Sequence, residues 1–171
     1  RLELFVEERG VGSAVLFLSG TGADLRVKPN VLDGPLAKSF RVIAYDQRGL
    51  GQTQKPLGPY EMEDYSKDAI ALLDKLGIEN IKVHQGSLKD GYKKKELFDA
   101  VFINGSVDLV PQSINDQVKD GGRVVTIKRD GQIGYMVILK KAGNYMNQIN
   151  HFEITVPYIS KDFIRKSEFA F

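Results

Sequence analysis

Apolar residues along this chain come in two patterns: short blocks that are hydrophobic throughout, and stretches in which they alternate with polar positions. Leu2, Leu4 and Val6 alternate through Glu8, as in a half-buried or edge strand, and Gly10–Gly12 makes a turn. Ala14–Leu18 is continuously apolar and ends in Ser-Gly-Thr-Gly, which predicts a buried parallel strand. Pro29–Phe40 is helix-like but broken by Asp33-Gly34-Pro35, so a clean helix is expected only over Leu36–Phe40. Arg41–Tyr45 reads as the next strand, and the Gly- and Pro-rich Asp46–Tyr60 as a loop. Met62–Leu76 carries the best helical signal. Tyr65, Ala69, Leu72, Leu73 and Leu76 form one stripe, and Gly77 supplies the stop.

Downstream, Ile81–His84 is a short strand-like segment and Phe98–Ile103 a second buried run. Val110–Lys119 predicts a helix, with Pro111 in its first turn and Gly121-Gly122 past its end. Arg123–Ile127 is a strand, and Gln132–Lys140 and Asn150–Val156 read as antiparallel strands. This order predicts an α/β fold: a single Rossmann-like three-layer domain over residues 1–171. Its sheet is mostly parallel and doubly wound, with antiparallel strands at the N-terminal and C-terminal edges.

A chain of 171 residues can bury such a sheet on both faces. The net charge of +2, from 24 basic and 22 acidic residues, gives no electrostatic footprint for nucleic acid. The one dense basic cluster, Lys93-Lys94-Lys95, reads as a solvated turn. With no cysteine, thiolate metal sites, disulfides and a Cys nucleophile are excluded, and no metal site is expected. No apolar run approaches the roughly 20 residues of a membrane span, and the chain opens in a strand without a leader-like pattern. A soluble, cytoplasmic protein is expected, without membrane or nucleic-acid partners, as a monomer or a strand-swapped homodimer. His84 and His151 are the only imidazoles, which narrows the acid–base options at neutral pH.

Two segments carry candidate chemistry. Val15–Gly22 (VLFLSGTG) followed by Tyr45–Thr53 (YDQRGLGQT) resembles an α/β-hydrolase over residues 1–78. In that family the first Gly-rich turn lends a backbone N–H to the oxyanion hole, and the Asp-x-Arg-Gly-x-Gly turn braces the site. The resemblance implies a nucleophile elbow, Gly-x-Ser-x-Gly, after the helix at Met62–Leu76. That position reads Gln85-Gly86-Ser87-Leu88-Lys89, without a glycine two before Ser87. Asp99, Asp108 and Asp116 are nominal acids and His151 a nominal base, but nothing in their spacing joins them to Ser87.

Residues 79–171 resemble the C-terminal half of a protein-L-isoaspartate methyltransferase. The carrying residues are Phe98–Ile103 (FDAVFI) and Gln117–Val125 (QVKDGGRVV). The resemblance implies S-adenosylmethionine, held mainly by a Gly-rich turn and an acidic strand end in the family's first half. It also implies an acid near the adenine, where Gln85 stands here. Gly20, Gly22 and Asp46 are the vestigial cofactor-binding candidates; the plainer reading makes them a tight turn and a loop cap.

The expectation is therefore a recombined or engineered chimera without catalytic function, not an enzyme, with no catalytic residues and no cofactor. The alternative is vestigial S-adenosylmethionine or nucleotide binding at the C-terminal ends of the strands, and after that a weak serine-hydrolase-like esterase. Right-handed crossovers and the stripe of the Met62–Leu76 helix favour the hydrolase strand order, in which the Ile81 strand lies between those at Ala14 and Phe98.

Overall fold

The computed structural model describes residues 2–20, 22–92 and 97–165. Thr21 and the Lys93–Lys95 cluster therefore lie outside the described residues. The chain divides into two compact units, Arg1–Gln85 and Gly86–Phe171.

In the first unit three strands form one sheet, β1 (Val6–Arg9), β2 (Ala14–Leu18) and β3 (Arg41–Tyr45), in the order β1-β3-β2. β3 pairs parallel with β2, Ala14 opposite Arg41, and antiparallel with β1, Val6 opposite Tyr45. β3 is the centre because its side chains are apolar on both faces. Val42 and Ala44 pack with Leu25 and Leu32, whereas Ile43 and Tyr45 meet Leu72 of helix α1 (Met62–Lys75). The stripe read from the sequence supplies the buried face of α1, with Ala69, Leu72 and Leu73 inside. The helix stops where Gly77 takes a left-handed φ of 63°.

β1 is shorter than the expected Leu2–Glu8 because its first residues bond to a loop. Gln54 N–H donates to the Glu3 carbonyl, and Phe5 N–H to the Thr53 hydroxyl. Leu36–Phe40 is not an α-helix. Two 3-10 turns, Val31–Asp33 and Pro35–Lys38, flank Gly34, and Pro35 cannot donate back across that junction.

The second unit is a four-stranded sheet in the order β4-β5-β6-β7. Its members are β4 (Phe98–Val107), β5 (Val118–Asp130), β6 (Ile133–Ala142) and β7 (Tyr145–Glu153). β4 and β5 run parallel, linked by helix α2 (Gln112–Asp116); the other pairs are antiparallel. Ile103, Val107, Ile114, Val118, Val124, Val137, Leu139 and Phe163 form the core.

The expected helix over Val110–Lys119 shrinks to Gln112–Asp116, because β5 begins at Val118 rather than after Gly121-Gly122. Phe98 faces Val118 and Ala100 faces Arg123, so two steps of β4 are matched by five of β5, and the surplus residues bulge. Gly122 belongs inside that bulge: a Cβ there would sit 2.8 Å from Val118 Cγ1 and 3.0 Å from the Asp99 carbonyl oxygen. β7 starts earlier than the expected Asn150, since Ala142 pairs with Tyr145 across a two-residue turn.

The single Rossmann-like three-layer sheet is thus corrected to mixed α/β with two separate sheets. The expected strand Ile81–His84 does not form; Ile81 and Val83 are half-buried in alternation, yet join no ladder. Two apolar positions are too few to hold a strand in a sheet. Among the described residues no helix is long and apolar enough to cross a membrane.

Candidate functional site

The first unit puts the sequence-derived candidates at the C-terminal ends of β2 and β3. Ala23 N–H donates to the Gly20 carbonyl at 3.1 Å, closing a turn. The Cβ positions of Gly20 and Gly22 face open space. Asp46, directly after β3, is fully buried. Its Oδ1 accepts from Leu25 N–H and its Oδ2 from Gln52 N–H, both at 2.8 Å. The Thr53 hydroxyl donates to the Asp46 carbonyl at 2.6 Å. Gly51, at φ 46°, is the residue that lets the chain pass: a Cβ would lie 2.1 Å from Asp46 Oδ2.

Asp46 therefore gathers the two loops of its own unit. Buried and bound by two backbone N–H groups, its carboxylate does not fit a ribose acceptor, which must present free oxygens to the ligand. Next to it, Gln47 Nε2 donates to the Ser19 carbonyl at 2.7 Å. Arg48 makes two 2.7 Å bonds to Asp68 and lies 3.2 Å from Asp64, locking the loop to α1. Ser87 precedes a 3-10 turn and His151 is exposed in β7; no bond joins them among the described residues. Asp99 is exposed and paired with Lys119 Nζ at 2.9 Å, which holds its carboxyl below the usual range.

The second unit carries a cleft that the sequence reading did not assemble. It lies at the carboxyl ends of the parallel strands β4 and β5, the place where open α/β sheets receive ligands. Its volume is about 460 Å³, and Asp108, Lys128, Arg129, Tyr135, Tyr158 and Arg165 line it, with Asp130, Gly131, Gln148 and Asn150.

Asp108 organises one wall. Its Oδ1 accepts from the Tyr158 hydroxyl and its Oδ2 from Arg165 N–H, both at 2.7 Å, while its N–H donates to the Phe163 carbonyl. The hydrogen bond to Asp108 pushes the Tyr158 phenol up, with desolvation and the carboxylate charge adding to it. Upstream, Ser106 holds the same returning segment. Its N–H donates to the Pro157 carbonyl, its hydroxyl to the Val156 carbonyl, and its own carbonyl accepts from Ile159 N–H.

The opposite wall is cationic. The Arg129 guanidinium stacks 4.7 Å from the Tyr158 ring centroid, and its Nε is buried without a hydrogen-bond partner. Lys128 Nζ donates to Gln148 Oε1 at 2.8 Å. Three cations, two carboxylates and two tyrosine rings thus surround one polar cavity. The sequence alone offers Asp108 only as a nominal hydrolase acid. The readable signal was Lys128-Arg129-Asp130 at a strand's carboxyl end; its partners stand far along the chain.

Residues 50–162, which span both strands flanking this cleft, match the family model described as Protein-L-isoaspartate(D-aspartate) O-methyltransferase (PCMT). The chain belongs to this methyltransferase family. A protein-L-isoaspartate O-methyltransferase of Vibrio parahaemolyticus is 28% identical over 90 residues, covering 53% of this chain and 43% of the relative. Protein-L-isoaspartate O-methyltransferase 2 of Shewanella sediminis is 39% identical over 82 residues, covering 47% of this chain and 34% of the relative. This methyltransferase-family chain therefore spans less than half the length of these relatives. A solved protein-L-isoaspartate O-methyltransferase superposes with a TM-score of 0.54 at 24% identity, over 61% of this chain and 33% of that one, a likeness of fold. Residues 13–84 match the alpha/beta hydrolase fold model, so the chain carries both resemblances read from its sequence.

These findings correct two expectations. A protein without catalytic function, and a chain that is not an enzyme, followed from both motif sets being incomplete, with no elbow glycine two before Ser87 and Gln85 standing where the methyltransferase acid falls. The match to a family of enzymes overturns both. Gly20, Gly22 and Asp46 lie ahead of the matched segment.

Proposed function

We propose that this chain takes part in methyl transfer to protein carboxyl groups, holding S-adenosylmethionine or a related nucleoside at the C-terminal ends of β4 and β5. The observation that carries the reading is the polar cleft there, formed by strands that lie within the methyltransferase match. The relatives' names supply the substrate class, an L-isoaspartyl carboxyl in a protein.

The donor set supports the ligand. A volume of about 460 Å³ suits a nucleoside-sized molecule. Arg129, Arg165 and Lys128 would pair with the carboxylate of the methionine part. Asp130 would accept from the ammonium group or the ribose hydroxyls, Asp108 would hold Tyr158 and the Arg165 backbone in place beside the ligand, and the Tyr135 and Tyr158 rings would flank a planar base. When bound, S-adenosylmethionine supplies an electrophilic methyl group on a sulfonium. The protein's task is then to bind both partners, exclude water and orient the carboxylate towards that carbon.

Titration calorimetry with S-adenosylmethionine and its demethylated product tests the reading. Saturable heat is expected at millimolar ligand or below, weakened at least tenfold by Arg129→Gln. A second arm offers an isoaspartyl peptide with methyl-labelled S-adenosylmethionine, where label in the peptide is expected. No heat at millimolar ligand, or heat unaffected by Arg129→Gln, would refute the placement.

A further inference from the structure

β4 is an edge strand. One side pairs in parallel with β5, and on the other side the sole bridge among the described residues joins Ser106 to Tyr158. From Phe98 to Asn104 the outer side meets no strand among the described residues. Proteins usually guard such edges with lysines, prolines or bulges on the open side, and they seldom leave a parallel strand uncovered. This stretch contains a single charge, Asp99, already paired with Lys119, and no proline, and the register shifts of its ladder to β5 fall on either side of a regular segment at Ala100–Phe102.

Alongside runs an apolar groove of about 320 Å³, lined by Leu88, Tyr92, Phe98, Ala100, Phe102 and Ile114 among others. Phe102 is 71% exposed, an unusual setting for a phenylalanine in the middle of a strand. Two residues away, the small side chain of Ala100 lines the same groove.

We infer that this edge binds a second copy of the chain, β4 against β4 in antiparallel register about a two-fold axis at Val101. That register places Phe102 of each copy opposite Ala100 of the other, a large ring over a small side chain, and it does so twice. Asp99 falls opposite Ile103 and Phe98 opposite Asn104, so no like charges meet. The strand is thus complementary to itself in size and in charge, which selects a copy of this chain over an unrelated peptide. Main-chain bonds along Phe98–Asn104 supply the affinity, and the ring in the groove fixes the register. The joined sheet would hold eight strands, with both cationic clefts left open.

Sedimentation velocity on the full chain, from micromolar to sub-millimolar concentration, tests this. The mass is expected to double as concentration rises. Phe102→Lys and, independently, Ala100→Leu, which enlarges the small side chain, should each weaken self-association by roughly 30-fold or more. Amide exchange gives a second readout, with the edge amides within residues 98–104 slowing with concentration in the wild type and not in the variants. A monomer mass over the whole range overturns the inference, as does a dimer that persists in both variants.

Discussion

Arg48 Nε and Nη2 each lie 2.7 Å from a different oxygen of Asp68, a two-pronged ion pair between the loop after β3 and the inner face of α1. Asp68 is buried and Arg48 nearly so, and the guanidinium also meets Asp64 at 3.2 Å and the Tyr60 ring at 5.8 Å. The Asp68 hydrogen bonds raise the Arg48 pKa further above its already high value. Removing one partner strands the other charge. Asp68→Ala is expected to cost the first unit about 3 kcal/mol, and Asp68→Asn less, because the amide keeps an acceptor. Urea unfolding followed by circular dichroism measures both.

Asp46 offers a second test. Asp46→Ala leaves the buried Leu25 N–H without an acceptor and opens the partly exposed Gln52 N–H to water, at about 1–3 kcal/mol. Gly51→Ala should be as damaging for a different reason, since its Cβ would enter the Asp46 carboxylate from a left-handed backbone. Thermal melts of the two single variants and the double variant should show non-additive losses, as the substitutions strike one contact.

Burial pushes the Tyr45 phenol up to about 12, with the nearby Asp68 charge adding to the effect. The unfolded chain releases that proton near 10, so between these values the folded form holds a proton that the unfolded form has lost. Stability is therefore full below about pH 10 and falls as pH rises towards about 12. Phenolate absorbance should show a tyrosine titrating at about 12, and Tyr45→Phe should remove that step while leaving the raised Tyr158 phenol in place. That variant should also lose part of the alkaline decline in unfolding free energy.

Asp108 pins the returning segment to the cleft through Tyr158, Arg165 and Phe163. Asp108→Ala is expected to leave the four-stranded sheet folded while speeding exchange of the Arg165 amide by about tenfold or more, in line with one lost charge-assisted bond. Ligand heat in the cleft should fall with it. An unchanged Arg165 exchange rate would show that Asp108 does not hold the segment.

The elements that could be read from the sequence are those whose pattern is local. β2 and β3 are continuous apolar runs and appear with the bounds expected for them, and α1 carries its stripe and its glycine stop. β7 was misread at its start because Tyr145–Gln148 mixes apolar and polar residues and lies largely exposed, so no period marks it. Its register comes from the two-residue turn before it. The extension of β5 back to Val118 depends on a bulge that only the facing strand reveals.

The cleft was hidden for a related reason. Asp108 and Arg165 meet across 57 positions of sequence, and no short motif records such a pair. Asp46, in contrast, was noticed for its place at a strand end, where its surroundings make it structural. The same address at the end of a strand thus serves scaffolding in one unit and faces a ligand-sized space in the other.

The fully committed carboxylate of Asp46 limits how this rim could change in evolution or by design. Recruiting it to grip a visiting sugar would loosen the very crossings that hold it in place. A lineage seeking a nucleoside grip there would have to introduce a new acid on a neighbouring loop and leave the old one untouched.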